Sequence, residues 1–326
     1  MAAAGIEQGL LEQVRRGCRQ VAEEATRVHL DKTRFAAYAS SLPVDRLMSP
    51  EMSAEFHFLE AGEGTVAFFL VLDSLNFGSG YFPWLKKRTG LSGYFSVAAC
   101  LREYFMDQGA PSAADLAHLE VQDCLRIFRQ DPANPVALEL MGLFARALND
   151  LGQFLLEHFG GHFAALVEEA GGSADQLVAR LTEMPFFNDV ARWKGNRVAF
   201  FKRAQLAAAD LYFAFGGEGP GRFVDIDRLT IFADNLVPHV LRRDGILRFE
   251  KELADRIDRG ELIPAGSEEE VEIRACAVHA GELLVAELRR RVPGVNAMLL
   301  DNFLWHRGQQ PEYRQSPRHR TRTVYY

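Results

Sequence analysis

Apolar residues return at helical spacing through most of the chain, and this pattern predicts a mainly α fold. Ile6, Leu10, Val14 and Val21 recur in this way, then Leu119, Leu125 and Phe128, then Leu140, Phe144, Leu148, Leu151 and Leu155. Asn134-Pro135 and Ser173-Ala174-Asp175 read as helix entries, each a capping side chain followed by a residue suited to the first turn. Gly160-Gly161 and Gly171-Gly172 read as stops. Asn196 reads as the N-cap of the alanine-rich run that follows it. Alternation favours a strand only at Glu55-Phe56-His57-Phe58-Leu59, before a turn at Gly62-Glu63-Gly64, so one small sheet near the front is the most β structure expected.

Composition adds bounds. Of 326 residues, 48% are hydrophobic and 25% charged, enough to bury a substantial core. With no tandem repeat, low-complexity tract or Pro/Ser linker, the expectation is one two-lobed unit over residues 1–326. A formal charge of -7 argues against a surface that follows a long phosphate backbone and favours a small substrate. Cys18, Cys100, Cys124 and Cys276 lie far apart, without zinc-type spacing, and are expected to be buried free thiols. Glu7 and Glu12 interrupt any signal-like apolar run, and no later stretch approaches the roughly 20 apolar residues of a membrane span. The expected location is cytoplasmic, with no membrane partner.

Four segments can carry chemistry. In Val71–Trp84 an apolar helical run turns rich in Gly and aromatics. There Asp73 can pair with the adjacent N–H donors of a guanine-like edge, Asn76 can donate and accept, and Phe77 or Trp84 can stack on a ring. The alternative is a Gly-capped helix end with core aromatics. In Trp193–Tyr212, Lys202 shares a helix face with Leu206 and Ala209 and is therefore partly desolvated. Such a lysine can bind phosphate, fix a carboxylate or act as a nucleophile; the alternative is a wet Lys-Arg edge. In Phe223–Leu241, Pro238 cannot donate to the Asp234 carbonyl, so the helix kinks or restarts there and Asp234 lies in apolar surroundings at a backbone break. A carboxylate so placed is costly unless paired or used. Last come Leu299–Trp305, with Asp301, and Arg318–Tyr326, an arginine-rich end that either closes on a phosphate or frays into solvent.

Together these segments resemble the queuosine salvage proteins, a family of queuosine 5′-phosphate N-glycosidases. The resemblance rests on LDSLNF at Leu72 to Phe77, KGNRVAFFKRAQLAAADL at Lys194 to Leu211 and LTIFADNLVP at Leu229 to Pro238. EEVEIRACAVHAGELL at Glu269 to Leu284, LLDNFLW at Leu299 to Trp305 and the ending HRTRTVYY extend it over most of the chain. It implies a helical core similar to that of helix-hairpin-helix DNA glycosylases, with a Lys and an Asp flanking the sugar. Those roles fall here to Lys202 and Asp234. The expected substrate contacts are Asp73, Asn76, Phe77, Trp193, Arg203, Asn235, His239, Asp301 and Tyr326. The chain departs from the family pattern at Asn235, where an aromatic commonly follows the Asp, at His239 in place of an amide, and at His306 in place of an acidic residue.

The chemistry that the resemblance implies suits these residue types. Departure of the base builds positive charge at C1′ of the ribose, which a preorganised carboxylate stabilises; Asp234 either shields that cation or activates water. Queuine is a 7-deazapurine, so protonation at N7 is unavailable and hydrogen bonds elsewhere on the ring must assist departure, a role for Asp73 and Asn76. Its cationic amine and cyclopentenediol call for a further carboxylate or amide, such as Asp301 or Asp189. No cofactor or metal is implied, and the expected partner is queuosine 5′-monophosphate or queuosine, not an intact nucleic acid. The competing readings are a glycosylase or binding protein for modified nucleic acid, whose affinity would fall steeply with salt, and a nucleoside-binding module without turnover.

Overall fold

The computed structural model describes residues 9–60 and 62–326, and most of them are helical. Ile6 and Glu7 lie outside the described residues. From Leu10 onward the first expected helix forms as Leu10–Glu24, burying Leu11, Val14, Cys18 and Val21 against helix Glu268–Arg289. The expected caps act as such. The Asn134 side chain accepts the N–H groups of Val136 and Ala137 at 3.0 and 3.3 Å to start helix Pro135–Phe159, and Gly160 ends it at φ 59°. Ser173 caps helix Ala174–Leu181 in the same manner.

Helix Gly62–Ser74 has no wet face: every residue from Thr65 to Ser74 is buried, as befits a helix apolar all round at the centre of a fold. It packs against helix Lys202–Ala214, whose Ala204, Ala207, Ala208 and Ala209 are all fully buried and let the two backbones approach. Helix Glu268–Arg289 runs through the other side of the core and contacts Leu10–Glu24, Phe35–Ser41 and Ala297–Gly308. Its buried Glu272 is paid for in hydrogen bonds, accepting from the backbone N–H groups of Thr26, Arg27 and Val28 at 3.1, 2.7 and 3.2 Å. The apolar side chains form one contiguous core, in which all four cysteines are buried and free.

The β structure differs from expectation. Glu55–Leu59 is no strand; Phe56 packs on Phe95 and Phe58 on Phe68 and Phe105, so the alternation reflects two aromatic clusters. Gly62 begins a helix instead of closing a turn. Two small antiparallel sheets form elsewhere. Val28–Leu30 pairs with Leu247–Phe249, and Val190–Trp193 pairs with Asn196–Ala199. Asn196 is thus a strand residue and not a helix cap. Lys194 and Gly195 both have positive φ, 46° and 82°, the two-residue turn whose twist matches a tight hairpin. The helix begins only at Lys202, after Phe201 at φ 48°.

The Arg318–Tyr326 segment does not fray. The Ile263 N–H donates to the Arg320 carbonyl at 2.8 Å, Asn235 Nδ2 donates to the His319 carbonyl at 3.2 Å, and the Gly78 N–H donates to the Tyr326 carbonyl at 3.0 Å. At Gly80 a Cβ would lie 2.2 Å from the Thr321 carbonyl oxygen, so only glycine lets the two strands of chain pass. This segment thereby joins the loop after Ser74 to the loop that carries Asp234.

Candidate active site

These elements enclose a cavity of about 600 Å³. Helix Lys202–Ala214 lends it Lys202, Leu206, Asp210 and Phe213, one face at i, i+4, i+8 and beyond. Helix Ala297–Gly308 lends Asp301 and Trp305, also four apart. The loop before helix Val237–Arg243 lends Asp234 and Asn235, the loop after Ser74 lends Asn76 and Phe77, and the terminal segment lends Arg318 and Tyr326.

Asp234 is held by one oxygen. Its Oδ1 accepts the N–H groups of Leu236 and Val237 at 2.7 and 2.9 Å, because Pro238 forces the helix to restart and leaves those donors unpaired. Its Oδ2 makes no hydrogen bond among the described residues and is left for the cavity. Lys202 is buried, and its ammonium donates to the Asn76 carbonyl and to Asn76 Oδ1 at 3.3 and 3.2 Å. Burial pulls its pKa below the usual lysine range, against the pull of Asp234 and Asp73, which favour the charged form.

Asp301 Oδ1 accepts the Phe232 N–H at 2.7 Å. Burial, reinforced by the neighbouring Asp234, pushes its carboxyl well above the ordinary range, which favours the protonated form that can donate a hydrogen bond. Arg318 lines the cavity with no hydrogen-bond partner for its guanidinium among the described residues; burial depresses its pKa while Asp234 supports its charge. An aromatic wall faces these groups. Phe56 packs on Phe95 at 4.5 Å, and Trp305 meets Tyr94 and Phe95 edge-on at 5.4 and 5.5 Å, a surface suited to a flat heterocycle.

Seven of the expected site residues line the cavity: Asn76, Phe77, Lys202, Asp234, Asn235, Asp301 and Tyr326. Four do not. Asp73 is fully buried behind Asn76, whose Nδ2 lies 3.4 Å from its Oδ1, and burial together with Asp210 pushes its carboxyl up, so it cannot meet a base edge directly. Arg203 is a strut, donating to the carbonyls of Asp73, Ser74 and Phe186 and stacked between the Phe77 and Phe187 rings. Trp193 is buried in the hairpin under the Lys194 ammonium, and His239 Nε2 bonds the Tyr313 carbonyl at 2.9 Å. Asp189, a candidate for the substrate amine, is occupied by Arg274. Phe77 lines the cavity but is itself wedged against Phe144 at 5.1 Å, so it supports the wall as well as forming it.

Asp210, Arg318, Tyr94 and Trp305 were not among the expected contacts. Asp210 and Trp305 had a signal, their spacing from Lys202 and Asp301; Arg318 had only its place in an arginine-rich run. Burial pushes the Asp210 carboxyl up to about 7, with Lys202 opposing. An acid raised on folding binds a proton between its ordinary pKa of 3.8 and 7, so its stabilising contribution is complete below that window and lost as pH rises through it. Asp210→Asn, neutral at every pH, should therefore gain melting temperature over the parent chain as pH rises from 4 to 7, then no further. A difference independent of pH would show that Asp210 is solvated.

Among the described residues no group of three or more His, Cys, Asp or Glu is placed to hold a metal ion, and no helix is long and apolar enough to cross a membrane. Residues 56–326 match the family model described as queuosine salvage protein. A protein of Sphaerobacter thermophilus named queuosine 5′-phosphate N-glycosylase/hydrolase is 38% identical over 332 residues, covering 100% of both chains. Proteins of the same name from Mus musculus and Bos taurus are 33% and 34% identical, the first over 96% of this chain and 98% of its own, the second over 81% and 82%. A match of this extent, with Asp234 and Lys202 together in one cavity, establishes that the chain belongs to the queuosine salvage protein family.

Proposed function

We propose that this chain is an N-glycosidic bond hydrolase that cuts queuosine 5′-phosphate and releases queuine for salvage. The observation that carries the reading is Asp234: one carboxylate oxygen fixed by two backbone N–H groups, the other free toward the cavity. The geometry is set before substrate arrives, so little reorganisation is needed as positive charge grows at C1′. Asp234 stabilises that charge or activates the attacking water, with Lys202 beside it. Asp301, whose burial favours the protonated carboxyl, donates a hydrogen bond to the departing base, and so substitutes for the N7 proton that a 7-deazapurine cannot take. Asp210 is the carboxylate that faces the cationic amine, and the aromatic wall takes the ring.

Arg318 serves the 5′-phosphate. A charge-assisted hydrogen bond is worth about 1.5 to 3 kcal/mol, so Arg318→Ala should raise KM roughly 10- to 150-fold for the 5′-phosphate. The bare nucleoside should be hardly affected; equal losses on both would take the phosphate away from Arg318.

The acidic net charge and the enclosed cavity support a free nucleotide over an intact nucleic acid, the four free cysteines suit a reducing compartment such as the cytoplasm, and the contiguous core supports one two-lobed domain over the whole chain. The test is to incubate the protein with queuosine, its 5′-monophosphate and a queuosine-containing tRNA, and to assay free queuine by mass spectrometry. Release from the monophosphate is expected. Release from the tRNA alone, or binding without release, would overturn the reading.

A further inference from the structure

We propose that Arg274 is a positioning residue that fixes the spacing between Asp234 and Lys202, an inference that rests on the function just proposed. The two site residues come from different segments, and no direct hydrogen bond joins them among the described residues. Arg274 joins their backbones. From helix Glu268–Arg289 its Nε donates to the carbonyl of Ala233, the residue before Asp234, at 2.9 Å. Its Nη1 and Nη2 donate to Asp189 Oδ1 and Oδ2 at 3.0 and 2.5 Å. Asp189 Oδ2 in turn accepts the backbone N–H of Lys202 at 3.2 Å, and the Asp189 carbonyl accepts those of Phe200 and Phe201 at 2.9 and 3.3 Å. These bonds pin the left-handed turn at Phe201, φ 48°, from which Lys202 sets out.

The guanidinium itself has nowhere to go. Arg274 is 1% exposed, and its guanidinium lies over the Phe200 ring at 4.0 Å and the Tyr326 ring at 4.7 Å, with Glu270 at 3.4 Å from its Nη1. Its planar fork sets the angle between the Ala233 carbonyl and the Asp189 carboxylate, which a lysine ammonium cannot do. Arg274 does not line the cavity, so it acts on the reaction only through the residues it aligns.

The test is steady-state kinetics on queuosine 5′-phosphate with Arg274→Lys, which keeps the charge and loses the fork, in the wild-type and Asp234→Asn backgrounds. A misplacement of about 1 Å at a reacting centre costs on the order of 100-fold, so kcat should fall by about that factor while KM changes little. In the Asp234→Asn background the same substitution should cost markedly less, since one of the two groups whose spacing it sets is already disabled. Should Arg274→Lys fail to fold by circular dichroism, Asp189→Asn, which keeps the shape and weakens the same joint, is measured in both backgrounds with the same expectation. An equal fractional loss in both backgrounds, a change in KM alone, or wild-type kcat in the folded variant would overturn the proposal. Failure of the wild-type protein to release queuine would instead overturn the function it rests on.

Discussion

Asp234→Asn should fold with the melting temperature of the parent chain and release queuine at least about 100-fold more slowly, a loss of roughly 2.7 kcal/mol of transition-state stabilisation. The amide oxygen can still accept the Leu236 and Val237 N–H groups, so the helix start survives while the charge facing the sugar is gone. Asp234→Ala removes both functions and should lose about 1 kcal/mol of stability in addition. The pair separates the cap from the chemistry. Comparable turnover in Asp234→Asn and the parent protein would move catalysis to another acidic residue of the cavity, Asp210 or Asp301.

Lys202→Met should lower kcat/KM on the order of 100-fold, because it removes the cation placed between Asn76 and the acidic cluster. Its pH profile is the sharper readout. In the parent chain burial depresses the lysine, so activity that depends on the ammonium is lost at a lower pH than an ordinary lysine would allow; the methionine variant lacks that alkaline limb. Lys202 also lowers the pKa of Asp210, so without it this carboxyl titrates at higher pH and the acid limb that needs it ionised moves upward. Loss of rate with both limbs in place would make Lys202 a packing residue. A loss confined to the phosphorylated substrate would give it the phosphate role assigned here to Arg318.

Removal of the amine tests Asp210 in the same assay, since a substrate analogue without the cation should be indifferent to Asp210→Asn. That comparison also explains why Asp210 escaped a reading of the sequence. An aspartate two turns after Lys202 shares its face by helix geometry, but that face meets a cavity only because helix Ala297–Gly308 and the segments around Phe56 and Tyr94 line the space beside it.

What the sequence determined by itself was local and periodic. The apolar spacing fixed the Leu10–Glu24 and Pro135–Phe159 helices, and Asn134, Ser173 and Gly160 marked boundaries, because capping depends on groups only a few residues apart. Two residues costly to bury, Lys202 and Asp234, stood out for the same reason, as charges in apolar surroundings. The tertiary structure decided which desolvated groups are satisfied by the protein and which are left for a ligand. Asp189 and Asp234 look alike as sequence, yet Arg274, 85 residues beyond Asp189, takes both oxygens of the first, while the second keeps one oxygen free. Likewise Asn196 is a plausible helix cap until Lys194 and Gly195 close a hairpin against strand Val190–Trp193, whose ladder outweighs the local capping preference. A buried polar group's partner is set by the packing of distant segments, and no local pattern of residues encodes that choice.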